Sequence, residues 1–320
     1  MGQGARRIVW APVDGSSCNL IVAASRADFE DAAAINNQVS PHMPVTAEQI
    51  EHELTSDPAR RLFLAHYGAT AAGSGYVSPS AMGPQALYAM VRVVPELRRR
   101  GIGRALYEAV SGHGRVLGRE WLWGRVRDDD ADSLGIVLAL GFSEMGRQPI
   151  VAVDPRLARP PGELPEGIEI VSLAERPELA RAAWEVEREA VQDVPAPEPL
   201  SLESFEQWVA HNQGPAALPA GSFVALVAGE VVGHSGLAAM PARPHAAENL
   251  FTGVRRAWRG RGIATALKET QIAWARNQGY EWIQTENDEP NASMRGINAR
   301  LGYKPVSGSI LVRGPLCSSP

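Results

Sequence analysis

The chain has 320 residues, enough for about two domains. Its 45% hydrophobic and 21% charged content is that of a globular protein and excludes wholesale disorder. Lys+Arg 31 against Asp+Glu 36 leaves a net charge of -5, which excludes a chain-wide footprint for nucleic acid but allows a local basic site for an anion. Two cysteines, Cys18 and Cys317, make neither a disulfide framework nor a thiolate zinc site. The first residues lack the apolar core of a signal peptide, and no run approaches the ~18 apolar residues that span a bilayer. The expectation is a soluble cytoplasmic protein with no membrane and no nucleic-acid partner.

The predicted elements begin with a short apolar strand at 20–24 and a helix over 28–39. Strands follow at 62–65, 73–77 and 87–93. An Arg-rich turn, Arg98-Arg99-Arg100-Gly101-Ile102-Gly103-Arg104, then opens a helix whose apolar side is Ile102, Leu106, Ala109, Val110 and Leu117, with His113 among them. Gly118 stops it. A strand at 121–126 and a second helix close on Leu140-Gly141-Phe142. Residues 154–167 carry Pro155, Pro160, Pro161 and Pro165 with no apolar periodicity, the composition of a linker.

After that segment the series repeats. Strands are expected at 168–171, 222–227, 231–239 and 249–254, with a helix over 177–191 between the first two. A helix from Gly262 carries Ile263, Leu267, Thr270 and Trp274 and stops at Gly279. A strand at 282–285 and a last helix close on Leu301-Gly302-Tyr303. Residues 98–142 and 259–303 align without a gap at an offset of 161 residues, pairing Ala105-Leu106 with Ala266-Leu267, Gly118 with Gly279 and Trp121 with Trp282. A period this long is a domain duplication, since solenoids repeat every ~20–50 residues. The expected division is 18–153 for the first domain, 154–167 for the linker and 168–314 for the second, each of mixed α/β class.

The turn between strand and helix is where chemistry is expected. Free N–H groups at a helix start, the helix dipole, close approach at glycine and flanking arginines all favour a phosphate or pyrophosphate. A Gly-x4-Gly-Lys-Ser/Thr phosphate loop is absent. Leu106 and Leu267 occupy the third-glycine position of a dinucleotide fingerprint. Strand, then Arg-x-x-Gly-x-Gly/Ala, then helix, as in Arg98-x-x-Gly101-x-Gly103 and Arg259-x-x-Gly262-x-Ala264, resembles the coenzyme A pyrophosphate motif of the GNAT N-acetyltransferases. The closing Leu-Gly-aromatic some 40 residues on, twice over, strengthens the likeness. The tandem arrangement is similar to the mycothiol synthase type of double GNAT protein.

The resemblance implies two tandem domains, each a twisted, mostly antiparallel sheet with two central parallel strands that splay apart, flanked by helices. It implies acetyl-CoA as donor and a primary amine of a small molecule as acceptor. The pantetheine would lie between 250–254 and 282–286 and pair with backbone groups of Thr252, Gly253 and Val254, an amide near Val254 polarising the thioester carbonyl. The pyrophosphate would sit on Arg259, Gly260, Arg261, Gly262, Ile263, Ala264 and Thr265. In the first copy the matching positions are Val93, Arg98, Arg99, Arg100, Gly101, Ile102, Gly103 and Arg104.

Acetylation needs a neutral amine and hence a base or water chain. Glu248 stands eleven residues before Arg259, where histone-type relatives carry a base, and Leu87 stands eleven before Arg98. The other reading of Glu248 is a solvated residue at a strand start, and His234, His245 and Glu286 are alternatives. Where many relatives place an acidic tyrosine this chain has Asn298 and Val137. Asparagine can hydrogen-bond a thiol or pantetheine but is no useful acid. Asn291 is a candidate for pantetheine contact or for a helix N-cap. Asp128, Asp129 and Asp130 read as an acidic helix start, not a metal site. Residues 192–204 and 214–220 are expected to wall the acceptor, with Glu185, Glu187, Glu189 and Asp193 attracting a cationic amine or forming a solvated face. The expectation is catalysis in the second copy. An acetyl-CoA-binding regulatory or scaffold protein without turnover, and a mycothiol synthase-like enzyme, stay open.

Overall fold

The computed structural model describes residues 8–10, 18–41, 43–80, 82–195, 200, 204–212, 214–286 and 290–317. The chain divides into two compact units: Met1–Val126 with Ala131–Glu144 and Leu311–Pro320, and Arg127–Asp130 with Met145–Ile310.

Unit 1 begins with β1 (Ile8–Trp10) and β2 (Cys18–Val22), then α1 (Arg26–Val39) and α2 (Ala47–Ser56). Both helices open on capping boxes, Ser25 with Asp28 and Thr46 with Gln49. Next come β3 (Arg61–Tyr67), β4 (Thr70–Pro79), β5 (Ala86–Val93), α3 (Ile102–Val116), β6 (Trp121–Arg127) and α4 (Ala131–Ala139). The sheet runs β1-β2-β3-β4-β5-β6. Neighbours are antiparallel except β5 and β6, which pair in parallel from Ala86↔Trp121 to Tyr88↔Trp123. β3 is buried on both faces, so its Leu62-Phe63-Leu64-Ala65 run does not alternate. One face packs on Ile102, Leu106 and Val110 of α3, the other on Phe29, Ala32 and Ile35 of α1.

β7 (Ser143–Val153) leads into unit 2. There follow β8 (Glu169–Ser172), α5 (Ala180–Ala190), α6 (Phe205–Asn212), β9 (Phe223–Val227), β10 (Glu230–Ala239) and β11 (Ala246–Val254). Then come α7 (Ile263–Asn277), β12 (Trp282–Glu286), α8 (Ala292–Arg300) and β13 (Lys304–Pro315). The strands run β8-β9-β10-β11-β12-β7, with β11 and β12 parallel from Ala246↔Trp282 to Glu248↔Gln284. α7 covers one face through Ile263 and Leu267. α5 and α6 cover the other through Ala183, Val186 and Trp208. Gly118 (φ 67°) and Gly279 (φ 77°) end α3 and α7 in the left-handed conformation expected of them.

The units do not divide at 153 and 168. β7, last strand of the first copy in chain order, pairs antiparallel with β12 from Glu286↔Ile150 to Ile283↔Val153, inside unit 2. Residues from Leu311 onward count with unit 1, where Tyr107 Oη donates to Pro315 O (2.8 Å) and Cys317 N donates to Ser111 Oγ (2.9 Å). A central strand left with a bare edge is filled by whichever strand reaches it, and here the closing strands are exchanged. Residues 154–167 hold no helix or strand, but Arg276 ties them to α7 by donating to Pro155 O (2.7 Å) and Ala158 O (2.6 Å).

One irregularity separates the units. β4 and β5 pair without a break from Gly73↔Val93 to Pro79↔Leu87. Between β10 and β11 the register steps from Gly236↔Phe251 to Leu237↔Asn249, so Leu250 bulges out unpaired.

Candidate active site

The site grows from the glycine turn. Gly262 (φ 81°) and Gly101 (φ 82°) are the left-handed N-caps of α7 and α3, and neither helix has a side-chain cap. The first intrahelical bond of α7 is Ala266 N to Gly262 O, so the amides of Ile263, Ala264 and Thr265 face outward, a seat for an anion. A Cβ on Gly260 (φ 75°) would meet nothing within 4 Å. Unit 1 carries Arg99 at that position with φ 65°, a conformation costly for arginine.

The first arginine of each motif braces the turn. Arg259 Nε donates to Val254 O (3.0 Å) and Arg98 Nε to Val93 O (3.2 Å). Arg259 also pairs with Asp193 (2.9 Å), as does Arg256 (2.7 Å). These hydrogen bonds, the one from Arg256 first, hold the Asp193 carboxyl down at about 2. Arg261 stacks on Trp258, Arg100 donates to Tyr67 Oη (2.8 Å), and Arg104 pairs with Glu108 (3.0 Å).

The acidic residues expected to draw in a cation are engaged by the same turn. Glu189 accepts from Arg256 N (2.7 Å) and pairs with Arg255 (3.2 Å), and Glu185 lies 3.9 Å from Arg255. Glu187 is buried, accepts from Trp208 Nε1 and lies 3.7 Å from Nδ1 of the fully buried His234. Glu189 and Asp193 are paired with arginines of the turn, Glu187 fills the α5–α6 layer, and Glu185 stays partly exposed beside Arg255.

β11 and β12 part after Glu248↔Gln284, so the expected splay begins at Asn249. Glu248 accepts from Gln284 Nε2 at 3.5 Å. The bulge shifts everything before it by one residue, so the counterpart of Glu248 is Tyr88 and not Leu87. Tyr88 pairs with Trp123 as Glu248 does with Gln284, and the two rings lie 4.6 Å apart. Counting back from the motif cannot see an inserted residue.

Beneath the parting lies a buried polar cluster absent from the sequence reading. Asn249 Nδ2 donates to Gln271 Oε1 (2.9 Å), Gly236 O (3.0 Å) and Ser235 Oγ (3.1 Å). Its Oδ1 accepts from Lys268 Nζ (2.8 Å) and Thr252 Oγ1 (3.2 Å). Thr285 Oγ1 donates to Asn249 O (3.0 Å) across the fork. Lys268 is 1% exposed and lies 5.0 Å from the Tyr303 ring centroid. Burial alone pushes the Lys268 ammonium down to about 7. Tyr303 is buried as expected, its hydroxyl has no hydrogen-bond partner among the described residues, and burial raises the pKa of its phenol. The 161-residue offset held the signal: it sets Lys268 against Tyr107, Gln271 against Val110, Thr285 against Gly124 and Tyr303 against Phe142.

The remaining candidates are placed as follows. Thr252 Oγ1 lies 2.9 Å from Ser235 Oγ. A Cβ on Gly253 would collide with the Phe251 ring (2.5 Å) and Ala190 (2.8 Å). Val254, Ile263 and Ile102 are core side chains, which leaves only their backbones available to a ligand. Asn291 caps α8, its side chain accepting from Met294 N (3.1 Å). Asn298 is buried, with 2% exposure. Residues 196–199, 201–203 and 287–289, which include part of the expected acceptor wall, lie outside the described residues. A cavity of about 720 Å³, lined by Arg156, Arg243, His245, Trp282 and Lys304, opens at the start of β11 and β12, the strand ends away from the glycine turn. Among the described residues no group of three or more His, Cys, Asp or Glu is placed to hold a metal, and no helix is long and apolar enough to cross a membrane.

Known proteins share this arrangement. The acetyltransferase (GNAT) family model matches residues 27–142 and 177–303. The chain is 26% identical over 262 residues to the mycothiol acetyltransferase of Thermobifida fusca (strain YX), covering 75% of this chain and 77% of that protein. It is 28% identical over 260 residues to the mycothiol acetyltransferase of Thermobispora bispora, covering 79% and 83%. A tandem GNAT protein from the clavulanic acid biosynthesis pathway superposes with a TM-score of 0.76 at 20% identity, over 95% of this chain and 100% of that one. A GCN5-related N-acetyltransferase from Sphaerobacter thermophilus gives 0.72 at 21% identity, over 94% and 97%. Two motif-bearing sheets with parting parallel strands, matched by one family model in both halves, make this chain a tandem member of the GNAT acetyltransferase family, an N-acetyltransferase that takes its acetyl group from acetyl-CoA.

Proposed function

We propose that unit 2 transfers the acetyl group of acetyl-CoA to a primary amine of a small molecule by direct attack in a ternary complex. The observation that carries this reading is the fork in unit 2. Parallel pairing ends at Glu248↔Gln284, a bulge at Leu250 follows, and the strand runs on to an uncapped glycine turn. A pyrophosphate on the amides of 263–265 directs the attached arm down the fork. Arg255 N donates to Val232 O (2.9 Å), so the neighbouring pair Gly233↔Val254 exchanges no ladder bonds, and the Val254 amide, with the bulged backbone at Leu250, is a donor not committed to the β10 ladder. Glu248, on the rim of the fork, takes the proton of the incoming amine directly or through water. Acetyl-CoA supplies the activated acyl group, and every other function is assigned to the chain.

Unit 1 keeps the turn but closes the mouth of its fork with Tyr88 and Trp123. We assign it a supporting role without turnover. The likeness to two mycothiol acetyltransferases supports a finer reading in which the acceptor resembles theirs.

Isothermal titration with acetyl-CoA tests the proposal. Wild type binds one equivalent. Gly262→Glu sets a carboxylate in the anion seat and weakens binding by roughly 100-fold or more, about 2.7 kcal/mol. Gly260→Glu does the same with less risk to the fold, since Arg99 adopts the equivalent backbone in unit 1. Gly101→Glu leaves the equivalent bound. Binding that survives both unit 2 changes overturns the assignment.

A further inference from the structure

A buried ammonium with no carboxylate partner among the described residues is an expensive thing to keep. The hydrogen bond given to Lys268 goes to the neutral side chain of Asn249 (2.8 Å), and its other close neighbour is the ring face of Tyr303. The fold does not require it. In unit 1 the same helix position is Tyr107, which donates to Pro315 O, and the surrounding positions are Ala89, Val110, Gly124, Val137 and Phe142. Unit 1 packs that apolar set under the same sheet. The polar set has therefore been kept in one unit for something other than folding.

Its location says what. Asn249 is the first residue past the last parallel pair, and Thr285 bridges to its carbonyl across the fork. Lys268 thus sits one side chain below the crotch. β11 from Val254 back to Asn249 spans roughly 17 Å. An arm anchored by its pyrophosphate at the turn brings its far, sulfur-bearing end toward that crotch. The ammonium has three N–H donors. Among the described residues one is on Asn249 and one faces the Tyr303 ring, which leaves the third for an acceptor entering from the fork. Asn298, at the position where an acid was expected, has no proton to give.

We propose that Lys268 is the proton donor to the thiolate that leaves during acetyl transfer, an inference that rests on the acetyl-CoA reading of unit 2. The amine nitrogen forms the C–N bond to the carbonyl carbon and gives one proton to Glu248 or a water beside it. The C–S bond breaks with its electron pair on sulfur. The thiolate takes a proton from Lys268 Nζ, leaving a neutral lysine. When CoA departs, solvent returns that proton to Lys268 and removes the one on Glu248, so the cycle closes. Tyr303 is the titratable side chain packed against Lys268 in this cluster; Asn249, Gln271 and Thr285 do not titrate. An acid poised near neutrality is matched to a thiol of ordinary pKa ~8.5.

The test titrates the thiol of CoA bound to the full-length protein and needs no acceptor. Thiolate absorbance is followed against pH with and without CoA, the difference cancelling Cys18 and Cys317. In wild type the bound thiol and the ammonium share one proton, so thiolate absorbance begins to rise below the ionisation of free CoA and is completed only in a second, higher step. In Lys268→Met and Lys268→Gln the two steps collapse to one. A wild-type thiol that ionises as free CoA does, or two steps that persist in a folded Lys268 variant, overturns the role of Lys268 while leaving acetyl-CoA binding intact. Failure of wild type to bind CoA overturns the acetyl-CoA reading itself, and this inference with it.

Discussion

Set side by side, the two units share the turn and differ in what surrounds the fork. Both have a left-handed glycine N-cap, an arginine braced on the preceding strand and parallel strands paired over three residues. Above the fork, unit 1 has a tyrosine and a tryptophan in contact where unit 2 has Glu248 and Gln284. Below it, unit 1 is apolar where unit 2 holds a hydrogen-bonded cluster around Asn249. The lesson is that the anion turn is common to both units, whereas the polar residues above and below the fork are found in unit 2, which is where our proposal places the chemistry. The motif shared by both units does not by itself tell them apart.

The sharpest way to break this comparison is to remove its upper element. Glu248→Gln is expected to lower kcat by roughly 10²–10⁴-fold with any amine that turns over, leaving acetyl-CoA binding unchanged by calorimetry. An unchanged kcat would move the base elsewhere, with His234 beneath α6 as the next titratable group of unit 2.

The lower element gives a stability signature. The Lys268 ammonium is pushed down to about 7 from an ordinary 10.5. Between those values the unfolded chain holds a proton that the native one has released, so wild-type stability rises with pH across that window. Below about 7 both states are protonated and the full cost of the buried charge is felt. Lys268→Met is therefore expected to be more stable than wild type at pH 6 and to lose that advantage at pH 9.5, by a few kcal/mol at most. Thermal melts at the two pH values check it, and an advantage independent of pH would mean that the folded chain leaves the lysine's hold on its proton unchanged.

The smallest effect concerns Asn291. If its side chain serves only to cap α8, Asn291→Ala costs about 1 kcal/mol of stability and leaves the KM for acetyl-CoA unchanged. A raised KM would restore it as a contact of the pantetheine arm.

Much of the layout was legible because the duplication doubled every signal. A strand before the motif and a helix after it, seen twice, fixed the central elements to within a few residues. Local chemistry hid the rest. α2 was missed although Thr46 and Gln49 form a capping box, because its buried face is thin. The bulge at Leu250 shifted the comparison of Glu248 by one position, and no periodicity reports a bulge in a single sequence. The exchange of β7 and β13 depends on long-range pairing that local pattern does not encode. Lys268 does not stand out in the sequence because a lysine on an amphipathic helix is ordinarily solvent-facing, and it is the comparison with Tyr107 that marks it as buried.

The exchanged closing strands set an order of assembly. Residues 311–317 supply partners for Tyr107, Arg115 and Ser111, so unit 1 stays incomplete until the segment that follows all of unit 2 has left the ribosome. β12, synthesised late, finds β7 already made and waiting. Cutting the gene at the proline-rich segment would hand β7 to the wrong fragment and leave β6 and β12 with bare edges, so the halves are expected to be insoluble alone and recoverable when co-expressed. A chain built this way cannot shed its quieter half.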